Sequence, residues 1–204
     1  MNFELFTAFL LITVVLIIAP GPIVTLVIST GVTRGVRAAL TTVAGATLGN
    51  ALLLGAIALG LNWVHAHADL LFSALRWTGA AYLIWLGVQA WRRAGEESHQ
   101  LLETRRARFV RGLIVALSNP KTIVFFTAFL PQFIDPRLPA GPQLAAMCVA
   151  SVLIAGASDC AWAIAAGIGR AWFIKPSRVK SLNRLSGTVL IGGGLWLSLA
   201  RRTS

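Results

Sequence analysis

The chain has 204 residues, 56% of them hydrophobic and only 12% charged, and its apolar residues run in blocks too long for a soluble core. That composition reads as an integral membrane protein. A formal charge of +11 could suit nucleic acid, but the basic residues fall in short clusters between apolar blocks, with no basic face interleaved with aromatics; anionic lipid and the positive-inside rule explain them better, and no nucleic-acid partner is expected.

Hydrocarbon offers no water to backbone groups, so spanning segments are helices or a closed barrel, and a barrel would read as short alternating strands. Continuous Leu, Ile, Val and Ala predict helices. Six spans near the ~20 residues needed to cross are expected at residues 5–30, 38–61, 69–91, 109–130, 143–169 and 185–200.

The first span carries Glu4 and no Lys or Arg before Arg34, so it lacks the positive start of a signal peptide and reads as a retained helix. Pro20-Gly21-Pro22 interrupts it. Proline has no amide hydrogen and clashes with the preceding turn, so this tripeptide should break or kink the helix and free carbonyls at Ala19 or earlier. Unpaired backbone at membrane depth is tolerated where protein or a water-filled cavity satisfies it, which makes the break either a structural kink or part of a site.

The second span holds Asn50, a hydrogen-bonding group that reads either as bundle glue or as a site residue, and the pair Gly45 and Gly49, whose spacing suits close helix packing. His65 and His67 follow with no further ligands arranged beyond Asp69, so no metal site is expected. Trp63, Trp77, Trp91, Trp172 and Trp196 lie mostly near span ends, as an interfacial belt would. After the third span comes GEESHQLLET, residues 95–104, the one extended polar stretch. It divides a single transporter domain, 1–204, into a first half (1–94), a cytoplasmic linker (95–108) and a second half (109–204).

In the fourth span Asn119-Pro120-Lys121 repeats the proline break and adds chemistry. Asn119 offers a donor and an acceptor, and Lys121 offers three donors and a charge. An ammonium beside unwound backbone could receive a carboxylate or hold Asp159 ionised; snorkelling to an interface is the plainer alternative. Asp159, in the fifth span, is the one acidic residue well inside an apolar run. A charge near the bilayer centre costs at least ~2.5 to 3.5 kcal/mol on insertion scales, so such residues usually face a bundle interior or a substrate or ion path. Asp159 is thus the candidate proton carrier, with a static ion pair to Lys121 as the alternative. Cys148 and Cys160 share this span, about 18 Å apart along a helix, and cannot bridge each other. The sixth span is short and carries Gly192-Gly193-Gly194.

Thirteen Lys and Arg residues fall in the loops after spans one, three and five, against four on the other side. Both termini should then lie outside the cytoplasm. Losing the short sixth span would move the C-terminus inside. The halves also rhyme: a proline break opens each, and Asn50 and Asp159 occupy related places in spans two and five. Three spans per half make this an inverted repeat, in which interrupted helices in corresponding positions point to the binding site.

These residues resemble the LysE/RhtB family of bacterial amino-acid exporters over nearly the whole chain. The likeness rests on APGP at 19–22, the Gly-rich turn at 31–35, GNA at 49–51, GAAYLIWLG at 79–87, SNPK at 118–121 and PQF at 131–133, in that order and spacing. It implies an exporter in the bacterial inner membrane that expels amino acids in exchange for protons, with Pro20, Gly21, Pro22, Asn119, Pro120 and Lys121 lining a central cavity and Asp159 as the acidic residue of span five. A basic substrate would favour more buried carboxylates than one, which tilts the expectation to a neutral amino acid such as threonine, homoserine or leucine.

The combined expectation is an all-α bundle of six helices, two inverted halves with helices one and four broken. Its substrate site comprises Pro20, Gly21, Pro22, Asn50, Asn119, Pro120 and Lys121, and Asp159 couples protons. It is not an enzyme and needs no cofactor, since no P-loop, HExxH or CxxC is present. Its partners are a small amino acid, protons and membrane lipid, and its GxxxG face leaves room for a homodimer. The competing readings are an exporter of another small solute or a metal cation, and a non-transporting membrane scaffold.

Overall fold

The computed structural model describes residues 2–65, 104–173 and 175–199, with residues 77, 81, 84, 85, 88, 91 and 92 between them. Most of the expected third span, the polar linker up to residue 103, His67 and Asp69 lie outside the described residues. Among the described residues every regular element is helical. Helices α1 (Phe3–Ile18) and α2 (Pro22–Arg34) come from the first expected span, and α3 (Val36–His65) from the second. The fourth gives α4 (Arg105–Leu117), α5 (Pro120–Phe129) and a short 3-10 turn, Leu130–Phe133. They are succeeded by α6 (Ala140–Ile168), the single turn α7 (Arg170–Phe173) and α8 (Pro176–Leu199).

Three stretches of the described chain are long and apolar enough to cross a membrane: Val36–Gly60, Arg105–Phe133 and Ala140–Ile168. Counting α1 and α2 as one bent span makes four. Helix α8 is not among them, and its first nine residues carry Arg178, Lys180 and Arg184. Its apolar remainder, residues 185–199, covers ~22 Å at ~1.5 Å per residue, so a sixth crossing of a ~30 Å hydrocarbon core would draw on the basic turns before it as well.

Both expected breaks are present, and each has a local cause. Helix α1 stops at Ile18, Ala19 turns extended (ψ 122°), and α2 restarts with Pro22 in its first turn, bent by 45° from α1. Proline's fixed φ suits the first position of a helix, where no amide hydrogen is needed. Helix α4 ends at Leu117, where both the amide and the hydroxyl of Ser118 donate to the Ile114 carbonyl (2.9 and 2.7 Å). Asn119, held extended (ψ 104°) by the proline after it, caps α5 by accepting the Lys121 amide at 3.2 Å.

Helix α3 packs most extensively on α4 and next on α6, with α2 between α3 and α6. Glycine makes this closeness feasible. A methyl at Gly45 would collide with the Phe109 carbonyl oxygen, one at Gly112 with the Thr42 carbonyl oxygen, and one at Gly49 would stand 2.7 Å from the Ala116 side chain. The packing expected of Gly45 and Gly49 thus has its counterpart in Gly112.

A second cluster fills the other end of the bundle, where Phe9, Phe125, Phe126, Phe129 and Phe133 are all buried. Phe9 meets Phe126 edge-on at 6.5 Å and Phe133 at 5.6 Å, which ties α1 to α5 and its 3-10 extension. At the same end the loop before α6 is stitched by Gln143, whose amide nitrogen donates to the carbonyls of Asp135, Leu138 and Pro139. The Asp135 carboxylate accepts the Arg137 amide at 2.9 Å and the Asn2 side chain at 3.4 Å. Donation by the Arg137 backbone, aided by Asn2, holds this carboxyl below its ordinary pKa.

Candidate functional site

The two breaks face each other. Pro20 has no amide hydrogen to give the Leu16 carbonyl, its natural partner one turn back, and the extended backbone at Ala19 leaves that carbonyl outside both helices. Lys121 supplies the missing donors, its Nζ donating to Leu16 O at 2.7 Å and to Ala19 O at 2.6 Å. The ammonium therefore satisfies backbone groups that the bilayer could not. Lys121 is only 7% exposed, so it does not snorkel.

Gly21 makes the approach possible. Its backbone is extended (φ −129°, ψ −169°), which any residue adopts, so space rather than conformation calls for glycine. A Cβ there would stand 3.1 Å from Lys121 Cδ and 3.5 Å from Nζ.

Lys121 lines a cavity of about 50 Å³ at the junction of α1, α2, α3, α5 and α6. Gly21, Asn50, Asn119 and Asp159 line it too, so five of the eight residues singled out in the sequence converge there. Pro20, Pro22 and Pro120 are not on its wall; they shape it by ending or starting the helices that are. A cavity needs ~10 to 15 Å³ to hold one water, so there is room for roughly three or four. Asn50 and Asp159 are 5% and 4% exposed. Asn50 Oδ1 is buried with no hydrogen-bond partner among the described residues, and the Lys121 ammonium bonds to the two backbone carbonyls rather than to Asp159. A lysine–backbone arrangement thus stands where a static lysine–aspartate bond was the alternative.

Asn119 is more occupied than the sequence implied. Its Oδ1 caps the Lys121 amide and its Nδ2 donates to Thr122 Oγ1 at 2.9 Å, so the side chain serves the break itself. Several wall residues were not anticipated, among them Ser151, Ala155, Leu54, Thr122 and Phe126. Helical periodicity would have found them: Ser151, Ala155 and Asp159 succeed one another at four-residue steps on α6, as do Asn50 and Leu54 on α3. Ser151, also on the wall, donates to the Met147 carbonyl at 2.7 Å, so its oxygen retains lone pairs that can accept.

The wall is thus one ammonium, one carboxyl, two side-chain amides and two hydroxyls among small and apolar groups. Such a set has the chemistry to hold a small solute carrying both charges, and among the described residues no cluster of three or more His, Cys, Asp or Glu is present to bind a metal. A family profile described as LysE type translocator matches residues 14–201. The chain belongs to the LysE type translocator family. As a LysE type translocator it is a membrane transporter rather than an enzyme.

The chain is 36% identical over 204 residues to a Salmonella typhimurium protein named homoserine/homoserine lactone efflux protein, covering 98% of this chain and 99% of that one. A Vibrio cholerae protein named uncharacterized membrane protein is 34% identical, covering 98% and 100%. A Klebsiella pneumoniae leucine efflux protein is 33% identical over 64% of this chain and 63% of its own. No solved structure matches.

Proposed function

We propose that this LysE type translocator exports a neutral amino acid, of the homoserine, threonine or leucine kind, across the bacterial inner membrane in exchange for protons. The observation that carries the reading is the Lys121 ammonium seated on the Leu16 and Ala19 carbonyls. An ammonium on those two oxygens occupies the position that a substrate's α-ammonium would take. Substrate entry then exchanges one for the other: the substrate ammonium takes the carbonyls and Asn50 Oδ1, and the released Lys121 Nζ takes the substrate carboxylate. The N-terminal dipoles of α2 and α5, which start at the breaks, favour the same carboxylate.

Asp159 carries the proton in this scheme. It shares the cavity with Lys121, so movement of that ammonium changes the charge the carboxyl faces. A zwitterion has no net charge, so each proton exchanged inward draws on the full membrane potential, worth ~2.3 kcal/mol per 100 mV, or about 50-fold in concentration. The scheme takes six spans with both termini outside the cytoplasm, arranged as inverted three-helix halves (1–94 and 109–204) joined by the linker 95–108. The paired proline breaks at α1/α2 and α4/α5 support that arrangement.

The test is export itself. Bacteria lacking their own exporters, loaded with homoserine-, threonine- or leucine-containing dipeptides, should release one of these amino acids faster when the chain is expressed. Release of none, or only of lysine and arginine, would overturn the substrate assignment.

A further inference from the structure

Away from the central cavity, the first turns of α3 and α4 border an open groove of about 970 Å³. Arg37, Arg105, Arg106 and Arg108 line it, and among the described residues no carboxylate does. Three of these arginines stand in the first turn of α4, which contains no acidic residue. The N-terminus of a helix already carries partial positive charge, so guanidiniums gathered there add to one field that attracts an anion. The groove's lower wall is apolar, with Leu40 and Ala44 on α3. Continuing at the same four-residue step, Leu48 and Leu52 are 45% and 54% exposed. This stripe, Leu40 to Leu52, runs ~18 Å down the helix from the arginines.

A soluble anion would use only the arginines. A molecule with phosphate at one end and a long alkyl chain at the other would use the whole surface, and the cluster lies on the side that the charge asymmetry of the loops assigns to the cytoplasm. We propose that the α3–α4 groove binds an anionic phospholipid, its phosphates against Arg37, Arg105, Arg106 and Arg108 and an acyl chain along Leu40, Ala44, Leu48 and Leu52. Four guanidiniums match a lipid with two phosphates, the cardiolipin class, better than one with a single phosphate. Occupancy would brace the α3–α4 crossing, and α3 carries Asn50 while α4 leads into the Asn119 break. Amino-acid export should therefore depend on anionic lipid.

Thermal unfolding of the full chain in detergent, with native mass spectrometry to count retained lipid, tests the site using cardiolipin, phosphatidylcholine and inorganic phosphate as probes. Cardiolipin should raise the melting temperature at a concentration at least tenfold below that of phosphatidylcholine, and inorganic phosphate should not. R37Q/R105Q alters side chains at the groove's rim; it should keep the lipid-free melting temperature but need at least tenfold more cardiolipin. K175Q/K180Q, which removes the same charge elsewhere, should respond as wild type does. An equal response from R37Q/R105Q, an equal effect of phosphatidylcholine, or a shift with inorganic phosphate alone would overturn the proposal, the last by making the groove a simple anion site.

Discussion

Replacing Lys121 with methionine keeps an unbranched stem of similar length and removes only the ammonium. Two hydrogen bonds are lost, at 2.7 and 2.6 Å to Leu16 O and Ala19 O. A bond to a charged donor contributes ~1.5 to 3 kcal/mol, so the gross loss is ~3 to 6 kcal/mol. Two effects offset it. The desolvation penalty of a buried ammonium, several kcal/mol, disappears, and water in the neighbouring cavity of about 50 Å³ can reach the carbonyls in its place. The net destabilisation should be about 2 kcal/mol, a melting-temperature drop of ~4 to 8 °C for a chain of this size. Transport should suffer far more, because in the proposed scheme the substrate carboxylate loses a desolvated charged partner, ~2 to 5 kcal/mol or ~30-fold to several-thousand-fold in affinity. Purified Lys121→Met protein would be melted in detergent and then assayed in vesicles for amino-acid flux against concentration. A folded variant with wild-type affinity would refute the reasoning, and so would complete unfolding, since that would make Lys121 a structural strut.

Two further outcomes arise from the packing and from the loop before α6. Gly112→Ala should be severely destabilising, by ~3 kcal/mol or more, because its methyl would meet the Thr42 backbone, whereas Gly55→Ala, with nothing within 4 Å among the described residues, should be neutral or gain up to ~1 kcal/mol from helix propensity. Similar melting temperatures for the two would contradict the close α3–α4 crossing. Asp135 has a folded-state pKa below its ordinary value, through the Arg137 amide first and Asn2 after it. Its contribution to stability is therefore present above ~pH 3.9 and lost as the pH falls through the lower folded value. The melting difference between wild type and Asp135→Ala should stay constant from pH 5 to 8 and shrink only below about pH 4; a difference that changes between pH 5 and 8 would contradict the assignment.

The helix breaks were legible because their cause is local: Pro20, Pro22 and Pro120 each remove a donor from their own turn, whatever packs around them. Asp159 stood out because a lone acid in an apolar run has few plain explanations. The destination of the Lys121 ammonium was not legible, since its acceptors lie 105 and 102 residues away in sequence. Chemistry alone pointed as readily to Asp159. Gly112 carried no signal either, because a single glycine in RRARFVRGLIVAL gains meaning only once Thr42 is found against it. Ser151 was readable by periodicity from Asp159, but a serine in a helix rich in Ala and Gly draws no notice until that face is known to be a wall.

The central claim is that Asp159 couples the flux of a neutral amino acid to protons, and Asp159→Asn tests it most directly because it preserves shape while removing the titratable group. In sealed vesicles with an imposed pH gradient, wild-type protein should accumulate substrate. The variant should show no gradient-driven accumulation while still exchanging labelled for unlabelled substrate at equal pH. Gradient-driven accumulation by Asp159→Asn at the wild-type rate would contradict the account.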